Sequence, residues 1–110
     1  MTLLEKQHIF SLNVAKLIIQ SKETFGIDIS LGEAWRTIEQ QQIYFKSGKS
    51  KTLNSRHLKR LAIDLNIFKD GKWLTEKEDY KPLALIWKNL HPLNDCGYFW
   101  GWDIAHFEMR

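Results

Sequence analysis

Apolar residues return at helical spacing near the start of the chain. Leu4, Ile9, Leu12, Val14, Leu17 and Ile18 form one stripe, which predicts an amphipathic helix over residues 3 to 21. A short extended piece is expected from Gly26 to Leu31. Thr37 to Lys46 reads as a second helix, with a polar run at Glu39, Gln40, Gln41 and Gln42 and a stop near Gly48. The polar stretch from Ser47 to Ser55 predicts a loop. The period then changes. Between Leu61 and Phe68, Ile63, Leu65 and Ile67 alternate with Ala62, Asp64, Asn66 and Phe68, the pattern of a strand. Asp70-Gly71 is a hairpin-turn signal, with Lys72-Trp73-Leu74 as the short return. Thr75 with Glu78 resembles a capping box for a helix from Glu76 to Leu90, buried through Leu83, Ile86, Trp87 and Leu90. Pro82 argues for a start nearer Lys81, because proline suits a first turn and breaks an interior. Asp103 to Met109 alternates again, with Ile104, His106 and Glu108 on one face and Ala105, Phe107 and Met109 on the other.

This order predicts a small α+β fold, an antiparallel sheet packed with about three helices. At 110 residues, without repeats, low-complexity tracts or linkers, the chain is expected to form one domain over 1–110. A chain of this size can bury more than ~60% of its unfolded surface, so a real core is feasible. The 44% hydrophobic and 26% charged fractions belong to an ordinary globule rather than a disordered or membrane-spanning chain. Five tryptophans are expected mainly to fill that core and line a cleft.

The single cysteine, Cys96, excludes an intrachain disulfide and reads as a small buried thiol. Met1 to Phe10 has no apolar h-region, and no run approaches the ~18 apolar residues of a membrane span. A protein made in the cytoplasm of the producing host cell, without signal peptide, membrane partner or oligomer, is therefore expected. The formal charge is +3, with Lys46, Lys49, Lys51, Arg56, Lys59 and Arg60 concentrated in one stretch. That stretch could hold a polyanion, and a solvated surface is its plainer reading.

Two segments carry the candidate chemistry: Ser55-Arg56-His57 through Asp64, and Trp100-Gly101-Trp102-Asp103 through Glu108. His57, Asp64 and His106 are the residue types of an open zinc site, in which three protein ligands leave a fourth position for water. Such a site lowers the pKa of that water to about 7, and a carboxylate beside it can act as general base. Asp103, three residues before His106, has that position. Each of these side chains taken alone would read as core, cap or surface, the reading kept for His8 and His91.

Ser55-x-His57, Ala62-x-Asp64, Trp100-Gly101 and Asp103-x-x-His106-Phe107-Glu108 together resemble the zinc D-Ala-D-Ala carboxypeptidase and L-alanyl-D-glutamate endopeptidase family, which includes phage endolysins. Upstream, Trp35-Arg36-Thr37 followed by Gln40, Tyr44, Gly48 and Ser50 resembles that family's arginine segment, so the likeness spans about residues 28 to 109. It implies the hedgehog/D-Ala-D-Ala peptidase-like fold, Zn2+ as cofactor, and His57, Asp64 and His106 as its ligands. Asp103 would be the general base, and Arg36 would hold the substrate or its developing oxyanion. Ser55 would hydrogen-bond near the substrate or its loop. Glu108 would either lie behind the metal ligands or support the sheet. Trp100 and Trp102 are expected as cleft wall. One position departs: Arg60 stands where the family often has glycine, so the loop there is expected to differ.

The implied function is zinc-dependent cleavage of the peptidoglycan stem peptide, as by the L-alanyl-D-glutamate endopeptidase of a phage endolysin. A D-Ala-D-Ala carboxypeptidase or dipeptidase on the same scaffold is the nearest alternative. A non-catalytic zinc-binding domain and a nucleic-acid-binding module are the others. The last leaves the paired His/Asp segments without a role, and no nucleic-acid partner is expected.

Overall fold

The computed structural model describes all 110 residues. Helix α1 runs Leu3–Phe25, opened by a capping box between Thr2 and Glu5 and closed by Gly26 in the left-handed conformation. It buries Phe10, Asn13, Val14, Leu17 and Ser21. The buried face is therefore rotated slightly from the predicted stripe, since Leu4 and Leu12 face solvent and Ser21 is covered. Ser21 fits an apolar face because its hydroxyl donates back to the Leu17 carbonyl, at 2.7 Å.

Strand β1 (Asp28–Leu31) and helix α2 (Ile38–Lys46, capped by Thr37) follow as expected. The Ser47–Ser55 stretch contains no helix or strand and leads into a 3-10 turn at Arg56–Lys59. Strand β2 spans Ala62–Lys69 and β3 spans Lys72–Leu74. Asp70 and Gly71 join them with φ of 52 and 77, the paired positive values that a tight hairpin turn requires.

The predicted helix from Glu76 divides in two. A 3-10 turn at Lys77–Tyr80 is boxed by Glu76 and Asp79 rather than Thr75 and Glu78, and helix α3 begins at Lys81 with Pro82 in its first turn. Two elements went unpredicted: strand β4, Asn94–Cys96, and the one-turn helix α4, Gly97–Trp100. Both are too short to show a period. The last strand, β5, covers His106–Met109 alone, because Asp103, Ile104 and Ala105 form a turn instead of extending it.

The antiparallel sheet has the order β1-β2-β5-β4, with β3 also paired to β2. Pleating sends alternate residues to opposite faces. One face gives Ile63, Leu65, Ile67, Phe107 and Met109 to a core shared with Phe10 and Leu17 of α1 and Leu83, Ala84 and Trp87 of α3. The other face carries Asp64, His106 and Glu108. Trp87, fully buried, fixes α3 to the sheet: its indole N–H is shared between the carbonyls of Asp95 and Glu108, at 3.0 Å each. Those two residues are cross-strand partners in β4 and β5.

Candidate metal centre

Asp64 and His106 sit directly opposite each other in the β2–β5 ladder. Opposed residues on one face have Cβ atoms ~4.5–5.5 Å apart, so the register alone brings carboxylate and imidazole together. His57 enters from the 3-10 turn just before β2, held because Ser55 Oγ accepts the His57 N–H at 3.2 Å. The result is a cluster in which one ligand atom from each residue lies within 4.8 Å of the others.

The tautomers follow from the partners behind each ring. His57 Nδ1 lies 2.8 Å from the Ala34 carbonyl, which can only accept, so Nδ1 carries hydrogen and Nε2 faces the centre. His106 Nε2 lies 2.9 Å from Glu108 Oε1, so Nδ1 faces the centre instead. Both inward nitrogens stand 3.5 Å from Asp64 Oδ1. That oxygen is buried and has no hydrogen-bond partner. Ligand atoms ~2.0–2.1 Å from a tetrahedral ion would be ~3.3 Å apart, so both carboxylate–imidazole spacings fit a divalent cation, and the whole set lies within 4.8 Å. With both rings neutral, an orphaned carboxylate oxygen between two imidazole lone pairs is costly without an ion, and in its absence His106 gains affinity for a proton instead.

Charge is strongly coupled here. Burial opposes the Asp64 carboxylate, but contacts with His106 and then His57 outweigh it and hold the group well below the usual carboxylate range. Burial likewise opposes charge on His106, yet Asp64 and Glu108 raise that ring to about 9. Asp103 behaves oppositely. Burial raises its carboxyl, against the attraction of His106. Its Oδ2 stands 3.7 Å from His106 Nδ1, beside the cluster but outside it.

Asp103 has φ 53, the left-handed conformation that aspartate tolerates better than most side chains, and its carbonyl accepts the His106 N–H at 3.0 Å. Gly97 makes this turn possible: a Cβ there would fall 1.8 Å from the Asp103 carbonyl oxygen. Gly32 plays a similar part against Asp64, where a Cβ would meet the backbone oxygen at 2.8 Å.

Arg36 lines the same cleft, a space of about 400 Å³. Its Nε is ion-paired with Glu33, its Nη1 donates to Gln41 Oε1 at 2.7 Å, and its guanidinium carbon lies 4.6 Å from the centroid of the Tyr44 ring. Glu33 also accepts from the Tyr44 hydroxyl at 3.1 Å. Sequence reasoning missed Glu33 and Gln41. An acid three residues before Arg36 was the one available signal, whereas nothing distinguished Gln41 from its glutamine neighbours. Ser55 lines the cleft as well, and the hydrogen bond its side chain makes is the cap on the turn bearing His57. Trp100 packs its ring 5.4 Å from that of His106 and 5.8 Å from Trp102, so both form wall. Arg60 itself takes φ 57, ψ 34, so arginine makes the left-handed turn expected to need glycine.

A family model described as phage L-alanyl-D-glutamate peptidase matches residues 4–95. The chain belongs to that family. The matched residues include Arg36, Ser55, His57 and Asp64 and end before Asp103 and His106, so the latter two stand on geometry. Among solved structures, the Serratia marcescens L-Ala D-Glu endopeptidase ChiX has a similar fold. The TM-score is 0.72 at 23% identity, covering 89% of this chain and 78% of that one. No curated protein matches the chain. The phage peptidase family is one of peptidoglycan hydrolases, and no helix of this member is long and apolar enough to cross a membrane.

Proposed function

We propose that this family member is a zinc-dependent endopeptidase cutting the L-alanyl–D-glutamate bond of the peptidoglycan stem, with His57, Asp64 and His106 holding the ion. The observation that carries the reading is the partnerless Asp64 Oδ1, buried 3.5 Å from an inward nitrogen of each histidine. Zinc held there would supply a Lewis acid for the scissile carbonyl and make water a competent nucleophile near neutral pH.

The chain's own residues do the rest. Asp103 takes the proton from the attacking water and passes it to the leaving amine, a task favoured by a carboxyl raised through burial. Arg36 is fixed by Glu33 and Gln41, which leaves its remaining N–H donors for the charge developing on the carbonyl oxygen. Ser55 steadies the turn of His57 and keeps a hydroxyl proton to offer substrate. Trp100 and Trp102 shield one side of the centre from water. We read the chain as one catalytic domain, a monomer made in the host cytoplasm that reaches the wall after release.

Mass spectrometry of digested, purified peptidoglycan tests this reading. The expected products carry a new amino-terminal D-glutamate, disappear with a chelator and return with zinc. Release of D-alanine alone would favour the carboxypeptidase alternative. Cleavage that continues after complete metal removal would overturn the zinc centre.

A further inference from the structure

The cations around the cleft divide into two kinds. Arg36 is ion-paired with Glu33, and Arg110 with Asp95 at 2.6 Å and Glu108 at 3.7 Å. Lys49 and Lys51 are exposed and pair with no carboxylate. Each rests on an aromatic ring of the rim, Lys49 Nζ 4.5 Å from the Tyr44 centroid and Lys51 Nζ 4.4 Å from that of Trp102. An exposed cation–π contact is weaker than a charge-assisted hydrogen bond, so either ammonium can leave its ring for an incoming anion.

Their placement is specific. Gln41 Nε2 donates to Ser50 Oγ at 2.9 Å and to the Thr52 carbonyl, and the Ser50 N–H donates to the Tyr44 carbonyl at 3.0 Å, so the backbone is held on both sides of Lys51. The side chain therefore swings from a fixed root. Lys49 shares the Tyr44 ring with Arg36, and Lys51 rests on Trp102, so both ammonium groups belong to the cleft that Arg36 and Asp103 also line. Asp64, Asp103 and Glu108 line the same cleft. With zinc bound as proposed, the ion and Arg36 are engaged by the scissile carbonyl, which leaves the unpaired ammonium groups of Lys49 and Lys51 to draw a substrate carboxylate.

We propose that Lys49 and Lys51 are specificity-determining residues that recognise the free α-carboxylate of the glutamate at the bond cut. This rests on the proposed L-alanyl–D-glutamate substrate, whose glutamate continues through its side-chain carboxyl. Its α-carboxylate then sits on the carbon bearing the scissile nitrogen, the nearest negative charge to the reaction. An α-carboxamide in the same place has no charge for the lysines to bind.

The test compares two synthetic stem peptides, identical except for α-carboxylate or α-carboxamide at this glutamate, with zinc-loaded enzyme. The wild type is expected to favour the acid at least fivefold in kcat/KM, chiefly through KM. Lys49→Met/Lys51→Met should bring the two peptides within about twofold by raising KM for the acid, with zinc content and Tm retained. Arg56→Met, removing another unpaired cation of the cleft, should keep the preference. Equal wild-type cleavage of both peptides would overturn the inference while leaving the proposed activity standing. So would an unchanged ratio in the double lysine variant, or its loss in Arg56→Met. Wild-type enzyme that cuts neither peptide at this bond would remove the proposed activity, and the lysine assignment with it.

Discussion

The two histidines present different nitrogens to the centre because different acceptors stand behind them, a backbone carbonyl for His57 and the Glu108 carboxylate for His106. Glu108 was open between two roles in the sequence, and its 2.9 Å contact places it behind the imidazole. Such partners orient a ring and raise its basicity, and losing one typically weakens metal binding ~10–100-fold. Glu108→Gln should therefore lower zinc affinity within that range while the fold persists, measured by competition with a chromophoric chelator. Unchanged affinity would leave Glu108 a sheet residue only. Asp103 makes the opposite prediction. Asp103→Ala should keep zinc affinity within a few-fold and lose ~10²–10⁴-fold in kcat, the scale of general-base catalysis. Equal losses of metal and activity would reassign Asp103 to binding.

At the scale of elements, the long periodic segments were legible and the short ones were not. The β2–β3 hairpin could be read because alternation and an Asp-Gly turn are both local signals. The Cys96–Ala105 stretch could not, since its shape depends on a contact across the loop. Gly97 lies against the Asp103 carbonyl, and no sequence pattern marks which glycine must admit a neighbour. Gly97→Ala should push the Asp103 turn away from the centre. Its expected signature is a ~10²-fold loss of activity, the effect of about 1 Å of misplacement, with ~1–3 kcal/mol of destabilisation from overpacking. Kinetics and denaturant melts of the same variant check both. Full activity would show that the turn yields without moving the carboxylate.

For the whole molecule, the sheet separates apolar packing from chemistry, one face binding α1 and α3 and the other opening on the cleft. This couples stability to the charge of the centre. In metal-free protein, contacts with Asp64 and Glu108 raise His106 from 6.5 to about 9 despite burial. A raised histidine contributes stability that is complete below its unfolded pKa and is lost as pH climbs through the folded value. The metal-free protein should therefore lose up to ~3 kcal/mol between about pH 6.5 and pH 9, on the order of 10 °C in Tm. Zinc held as proposed would take the place of the proton, so the loaded protein should lack that decline. Thermal melts across pH, with chelator and with zinc, provide the measurement. Parallel curves would mean that His106 does not exchange its proton for the ion.

Sequence by itself determined which of the longer segments become helix or strand, because periodicity and turn chemistry act between near neighbours. It also supplied the residue types of the candidate centre and the family resemblance that grouped them. Tertiary structure alone decided the β2–β5 register that sets Asp64 opposite His106, since strand pairing compares residues more than forty positions apart. It likewise decided which nitrogen each imidazole turns inward and that Arg36 is braced by Glu33 and Gln41. Those depend on acceptors and donors that only the packed chain brings within reach.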